Sequence, residues 1–322
     1  MAWDQYLCVA EETVWGTEVP RTEFHRTFED SVVTPGLSWR TLNVLGERDP
    51  EIRFKELESG AVSISIPAVY DGMGTLLRNA IGEVSTTGAG PYVHTFAIDD
   101  NSYTRSTAKL IGVSAELNYA LPDATNKAQL LTGGRVATWG MSFTQNEEVK
   151  FTCELQGQKT SLEAVTAAGT FPDYGHATTS PMILPSQAVL TIDGGAAAVD
   201  SFEFTVNNAL RTDRGLSGSA YVSEARAQGY REISGTIEMR MLDNTIFAKW
   251  LSGSSAALIL TCTGAATNDE MIINFPFVYF TGDPLALEHG EDQAVTLNWT
   301  AHKSGATEAM NIVLTNDAST AI

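Results

Sequence analysis

Positive charge is scarce in this sequence. Twenty lysines and arginines stand against 39 aspartates and glutamates in 322 residues, a formal net charge of −19. A protein that grips nucleic acid by neutralising phosphates needs the opposite balance, so that class is excluded. Cysteine is also sparse: Cys8, Cys153 and Cys262 lie far apart, without a CxxC pair or the histidine spacing of a zinc site. They read as reduced thiols of a protein folded in a cytoplasm. No apolar run reaches the length of a membrane span, and the first twenty residues mix Asp4, Glu11, Glu12 and Glu18 among apolar side chains, unlike a secretory signal. The expectation is a soluble chain without membrane anchoring.

Motifs that carry chemistry are missing as well. His25, His94, His176, His289 and His302 are isolated from one another, and a lone histidine is most often structural. Asp71-Gly72-Met73-Gly74 lacks the third glycine and the Lys-Ser/Thr of a phosphate loop. Gly215-Leu216-Ser217-Gly218-Ser219 has its serines and glycines in the wrong order for a nucleophile elbow. The acidic pairs Asp99-Asp100 and Asp269-Glu270 do not alternate as calcium ligands do. Asn298-Trp299-Thr300 fits a glycosylation acceptor, which means nothing without secretion. No catalytic residue, metal ligand or cofactor is expected.

What the chain has is period-two alternation. In Val199–Asn208, Phe202, Phe204 and Val206 oppose Ser201, Glu203 and Thr205; in Tyr230–Met241, Ile237, Met239 and Met241 oppose Thr236, Glu238 and Arg240. Such alternation marks half-buried antiparallel strands. Ser59–Ile66 alternates likewise, with Val62, Ile64 and Ile66 opposite Ser63 and Ser65, and further strands are expected over 92–98, 108–119, 136–144 and 149–155. Residues 85–90 read as a loop. The first fifty residues alternate weakly, and within them Met1–Glu18 reads as an arm pinned by Trp3, Tyr6, Leu7, Val14 and Trp15.

The order of elements recurs. Ser234-Gly235 begins a second strand as Ser59-Gly60 begins the first, 175 residues earlier. Each strand leads to a short amphipathic helix, Thr75–Ile81 or Thr245–Leu251, and then to more strands, at 257–263, 271–280, 294–300 and 310–314 in the second copy. The expected fold is mainly β: two tandem sandwich or barrel domains, each with a flanking helix, at 1–165 and 187–322, joined by a linker at 166–186. The connection from Arg211 to Gly229 is too long for a tight turn. Such an excursion suits an interface between subunits, with Arg211, Asp213, Arg214, Glu224 and Arg226 as its charges and Tyr221 and Val222 as apolar anchors.

The segments Ser201–Asn208 and Arg231–Met239, the strand and helix between Gly60 and Gly82, and Tyr92-Val93-His94-Thr95-Phe96 together resemble the long tail tube proteins of bacteriophages with non-contractile tails. The resemblance covers most of the chain through patterning. It implies a structural subunit whose inward strands join those of neighbours around a lumen, as trimeric rings of pseudo-sixfold symmetry stacked into a tube. It also implies other tail proteins at the tube ends, assembly in the host cytoplasm, residence in the virion tail, and DNA that transits without specific binding. Ser63, Ser65, Glu238 and Arg240 are the candidate lumen-facing positions. The strand that pairs with Ser59–Ile66 has to come from the weakly patterned N-terminal region. Two other readings stay open: another β-rich virion part such as a decoration or baseplate protein, and a carbohydrate-binding protein using some of the six tryptophans.

Overall fold

A computed structural model describes residues 5–42, 52–98, 112–120, 126–171, 182–211, 219–222, 224–240, 245–265, 268–282 and 294–319. The N-terminal half contains β1 (Tyr6–Glu12), β2 (Glu23–Arg26), β3 (Val32–Gly36), β4 (Trp39–Leu42), β5 (Ile52–Lys55), β6 (Ser59–Pro67), α1 (Gly74–Ile81), β7 (Gly82–Gly88), β8 (Tyr92–Ile98), β9 (Gly112–Ala120), β10 (Asn126–Thr144), β11 (Lys150–Gly157) and β12 (Lys159–Glu163). The C-terminal half contains β13 (Ala188–Ile192), β14 (Gly195–Ala196), β15 (Val199–Asn207), β16 (Leu210–Arg211), β17 (Arg226–Ala227), β18 (Glu232–Arg240), α2 (Thr245–Ser252), β19 (Ala256–Thr263), β20 (Glu270–Thr281), β21 (Ala294–Ala301) and β22 (Asn311–Asn316). The protein is mainly β, with two short helices.

All named ladders are antiparallel. In the first half, β1 lies between β2 and β9; β9 pairs with the N-terminal part of β10, whose other side carries β12. The C-terminal part of β10 continues to β11, β6 and β3. The second half repeats these neighbours: β14, β13, β19, the start of β20, then β22. The end of β20 continues to β21, β18 and β15. Two ladders join the halves, β8 against β22 and, in this sheet, Thr138–Thr144 of β10 against Ser201–Asn207 of β15. The result is one sheet of eight strands in the order β3, β6, β11, β10, β15, β18, β21, β20. The hairpin β7–β8 has no counterpart among the described residues of the second half, and through β8 it extends that half's other sheet at β22.

One side of the eight-stranded sheet is apolar and makes the core. Phe204 stands edge-on to both Trp139 of the first half, at 5.4 Å, and Phe275 of the second, at 5.3 Å. Phe202 stacks on Trp299 at 5.9 Å. Offset and edge-to-face pairs of this kind add about 0.5–1.5 kcal/mol each beyond the area they bury. The apolar cluster is therefore continuous from Val62 to Leu297 across the joining ladder. Gly235 belongs to it for a spatial reason, since a Cβ there would stand 2.5 Å from Trp299 Cζ2 and 2.2 Å from the carbonyl oxygen of Glu203.

Both long strands bend where they pass from one sheet to the other. In β10 the bend is at Gly133-Gly134, and Gly133 has φ +67°. Glu12 of β1 holds it, accepting the Gly133 N–H at 2.7 Å and the Ser114 hydroxyl at 2.9 Å, while Trp15 donates to the Gly133 carbonyl at 3.0 Å. Burial pushes the Glu12 carboxyl pKa up, against the opposing pull of these donors. In β20 the ladder with β22 ends at Asn274 and the ladder with β21 begins at Val278, so the bend contains Pro276, whose missing N–H needs no ladder partner.

Several expectations change here. Residues 85–90 are largely strand, because Thr and Ser at an edge pair as well as any residue. Residues 126–144 form one strand, which begins ten residues before the expected 136–144. The N-terminal region is no arm: β1 is an interior strand with both faces covered, which erases alternation. The partner of β6 does come from that region, as β3. The two Ser-Gly pairs hold different places, since Ser59 opens β6 while Ser234 is the third residue of β18. Thr245 follows Gly74 by 171 residues, four fewer than the Ser-Gly spacing.

The described flank of the 211–229 excursion lies on the first half. Glu58 exchanges backbone hydrogen bonds with Ala220 and Val222 at 2.9 and 3.0 Å. Arg135, buried at the β10 bend, donates to the Ala225 carbonyl at 2.8 Å and to Glu224 at 2.6 Å.

Trp299→Ala is expected to cost about 3–5 kcal/mol of stability, read as a lowered denaturant midpoint, and Gly235→Val to cost a comparable amount through the clash with the same ring. Arg135→Met is expected to cost about 2 kcal/mol and to speed proteolytic cleavage between Arg211 and Gly229.

Candidate functional site

The second side of the eight-stranded sheet is largely polar, with Val32 and Tyr279 as exposed apolar positions on its two edge strands. Pairing places Ser63, Glu154, Thr138, Asn207 and Glu232 in one cross-strand row. Ser142, Glu203, Thr236 and Asn298 form another, and Thr144, Ser201, Glu238 and Thr296 a third. Hydroxyls tie the acids down: Thr138 donates to Glu154 at 2.9 Å and Thr236 to Glu203 at 2.8 Å. The charged side chains on β11, β15 and β18 are Glu154, Asp200, Glu203, Glu232 and Glu238 against Lys150 and Arg240. The face is rich in Thr, Ser and Asn, acidic in balance, and without a basic stripe.

The sheet ends in unpaired edges. Among the described residues, no strand pairs with β3 on the side away from β6, and none pairs with β20 beyond Val278 on the side away from β21. At the joining ladder the corresponding edges, those of β10 and β15, satisfy each other. An unpaired edge presents a row of N–H and C=O groups that another chain can complete.

Of the expected lumen-facing residues, Ser63, Glu238 and Arg240 lie on the polar face at the surface. Ser65 shares that face but is buried at 3% exposure, beneath Phe28–Ser31: Ser31 donates to its carbonyl at 3.1 Å and Phe28 N–H does so at 2.9 Å. Glu154, Glu203 and Glu232 complete the face. Their signal was the same alternation, carried over from the strands already recognised. Of the expected interface residues, Tyr221, Val222 and Glu224 sit against their own chain, and Arg226 pairs with Glu224 at 3.2 Å. Arg211 pairs across β16–β17 with Arg226. Asp213 and Arg214 lie outside the described residues.

Among the described residues, the histidines lie apart in structural settings. His94 is buried between Thr86, at 2.9 Å, and Asn316, at 3.0 Å, and His25 is buried against Glu23 at 2.7 Å. Among the described residues no three His, Cys, Asp or Glu side chains could share a metal ion, and no helix is long and apolar enough to cross a membrane. A cleft of about 840 Å³ at the turn end of the sheet has Phe143, Leu184, Val189, Glu147, Asp200 and Arg240 in its lining. Elsewhere, exposed apolar side chains concentrate on β4–β5.

No curated protein matches the chain. A family model described as phage tail tube protein matches residues 2–301, and with that match spanning nearly the whole sequence the chain belongs to the phage tail tube protein family.

Proposed function

We propose that this chain is a tube subunit of the long form, in which two copies of one tube domain are fused. It would form trimeric rings of pseudo-sixfold symmetry that stack into the tail tube of a phage with a non-contractile tail. The observation that carries the reading is the eight-stranded sheet: polar on one side, apolar on the other, and unpaired at both ends. The repeated order of strand neighbours supports the fused copies, at 1–165 and 187–322 with 166–186 between them. The ladder β10–β15 then serves as the pattern for the contact between chains, with β20 of one chain laid along β3 of the next. Three chains closed in this way leave no edge unpaired.

The polar face would line the lumen. With strands about 4.8 Å apart and tilted about 40°, a wall of roughly twenty-four strands has a backbone diameter of about 48 Å. After side chains are allowed for, that is wide enough for a DNA duplex to pass. Passage needs a wall that does not hold phosphate, and acids tied to neighbouring hydroxyls supply one. Within a Debye length of about 8 Å they also repel the duplex. The role is structural, with assembly in the host cytoplasm, other tail proteins closing the ends, and genome conduction during ejection.

Light scattering or native mass spectrometry should find three chains in the smallest closed assembly; six chains per ring would refute the fused-copy count. Assembled tubes titrated with duplex DNA at low salt should show no tight binding. Tight binding that weakens steeply with added salt would overturn the repelling lumen.

A further inference from the structure

The two-stranded pair β4–β5 stands apart from every other sheet, and all eight of its residues are exposed. Trp39, Leu42, Ile52 and Phe54, with the adjoining Leu37, are each 43–50% or slightly more exposed, Trp39 the most at 52%. Arg53 lies over the Trp39 ring at 4.7 Å. A lone hairpin is marginal in water, and five exposed large apolar side chains on one make an adhesive surface. The question is what it adheres to.

Chain order supplies the answer. The pair β4–β5 connects β3 to β6, and β16–β17 connects β15 to β18 in the same place of the repeated order. The second connection is already docked: it rests on the other half of the chain, at Glu58 just before β6 and at Arg135 in the β10 bend. The matching receptor in the second half is the segment just before β18, together with the bend of β20. There Tyr230 stands open to solvent, and the Tyr279 ring meets the edge of His302 at 5.2 Å. Tyr230 is 94% exposed, and Tyr279, on the unpaired stretch of β20, is 39% exposed. Its hairpin and its receptor are thus at opposite ends of the eight-stranded sheet, where one chain cannot bring them together. Charge agrees, since Arg40, Arg53 and Lys55 lie on the hairpin of a chain whose net charge is −19.

We propose that β4–β5 of one chain docks on the Tyr230 segment and the β20 bend of a second copy in the same ring, with Trp39 and Phe54 covering Tyr230 and Tyr279. The inference rests on the tube reading and names the clasp that accompanies the β20–β3 edge contact. It leaves axial stacking between rings to other surfaces.

Two measurements test it on the full chain. Trp39→Ser with Phe54→Ser, and separately Tyr230→Ser, are expected to raise the concentration needed for assembly about tenfold or more, with the parent's circular dichroism and thermal midpoint retained. In the second, chains carrying Phe54→Cys are mixed with chains carrying Tyr230→Cys and oxidised. The three native cysteines are buried, so a disulfide-linked dimer formed only in the mixture supports the clasp. If the parent assembles and the serine variants do so at the same concentration, or if the cysteine chains pair only with their own kind, the clasp is wrong and the tube reading stands. A parent that forms neither rings nor tubes refutes the tube reading and the clasp with it.

Discussion

The ladder between β10 and β15 is the constraint on which the rest depends. Seven residues of each strand are in register there, and the side chains beneath them form the seam in which Phe204 touches an aromatic from either half. Without it the halves would still meet through β8–β22 and the Glu58 and Arg135 contacts, but the eight-stranded sheet would fall into two four-stranded parts. With it, the apolar cluster is shared, and relative motion of the halves would shear close-packed rings. The bend of β10 belongs to the same constraint. By turning at Gly133-Gly134 under the grip of Glu12, one strand serves both layers and leaves its far part free to meet β15.

Division of labour between the two sides of this sheet follows from period two alone. Each strand sends Phe, Trp, Ile or Val one way and Thr, Ser or Glu the other, so a wall with a wet side and a dry side needs no further instruction. The charges that appear on the wet side are mostly acidic, and Glu154 and Glu203 are each bonded to a hydroxyl across the strand. That arrangement fixes their positions while leaving them hydrated.

Legibility in the sequence followed the same physics. Half-exposed strands such as β15, β18 and β11 announced themselves, as did the helices α1 and α2, because one face meets water and the other does not. Strand β1 was illegible for the opposite reason: covered on both sides, it lost its alternation and read as an arm. The edge strand β7, whose residues 85–88 are Ser, Thr and Gly, resembled a loop. The polar face was half visible. Glu238 and Arg240 were read from their own strand, but Ser65 proved to be roofed by residues over thirty positions earlier, a contact that no local pattern encodes. The excursion after Arg211 was expected to meet another subunit; its described flank meets its own chain through Arg135, whose burial could not be guessed from an arginine in a strand.

The hairpin β7–β8 sets the order of events during synthesis. Tyr92 pairs with Asn316, so the sheet that this hairpin extends has its neighbouring strand at the other end of the chain. Ladders of such long sequence separation close late, after the loop entropy between their ends has been overcome. A nascent chain on the ribosome therefore carries the hairpin unpaired until its final strand emerges, and the surface that includes α1 and β22 is completed only then. A chain cut short of β22 would leave the outer side of β8 open and that surface unfinished.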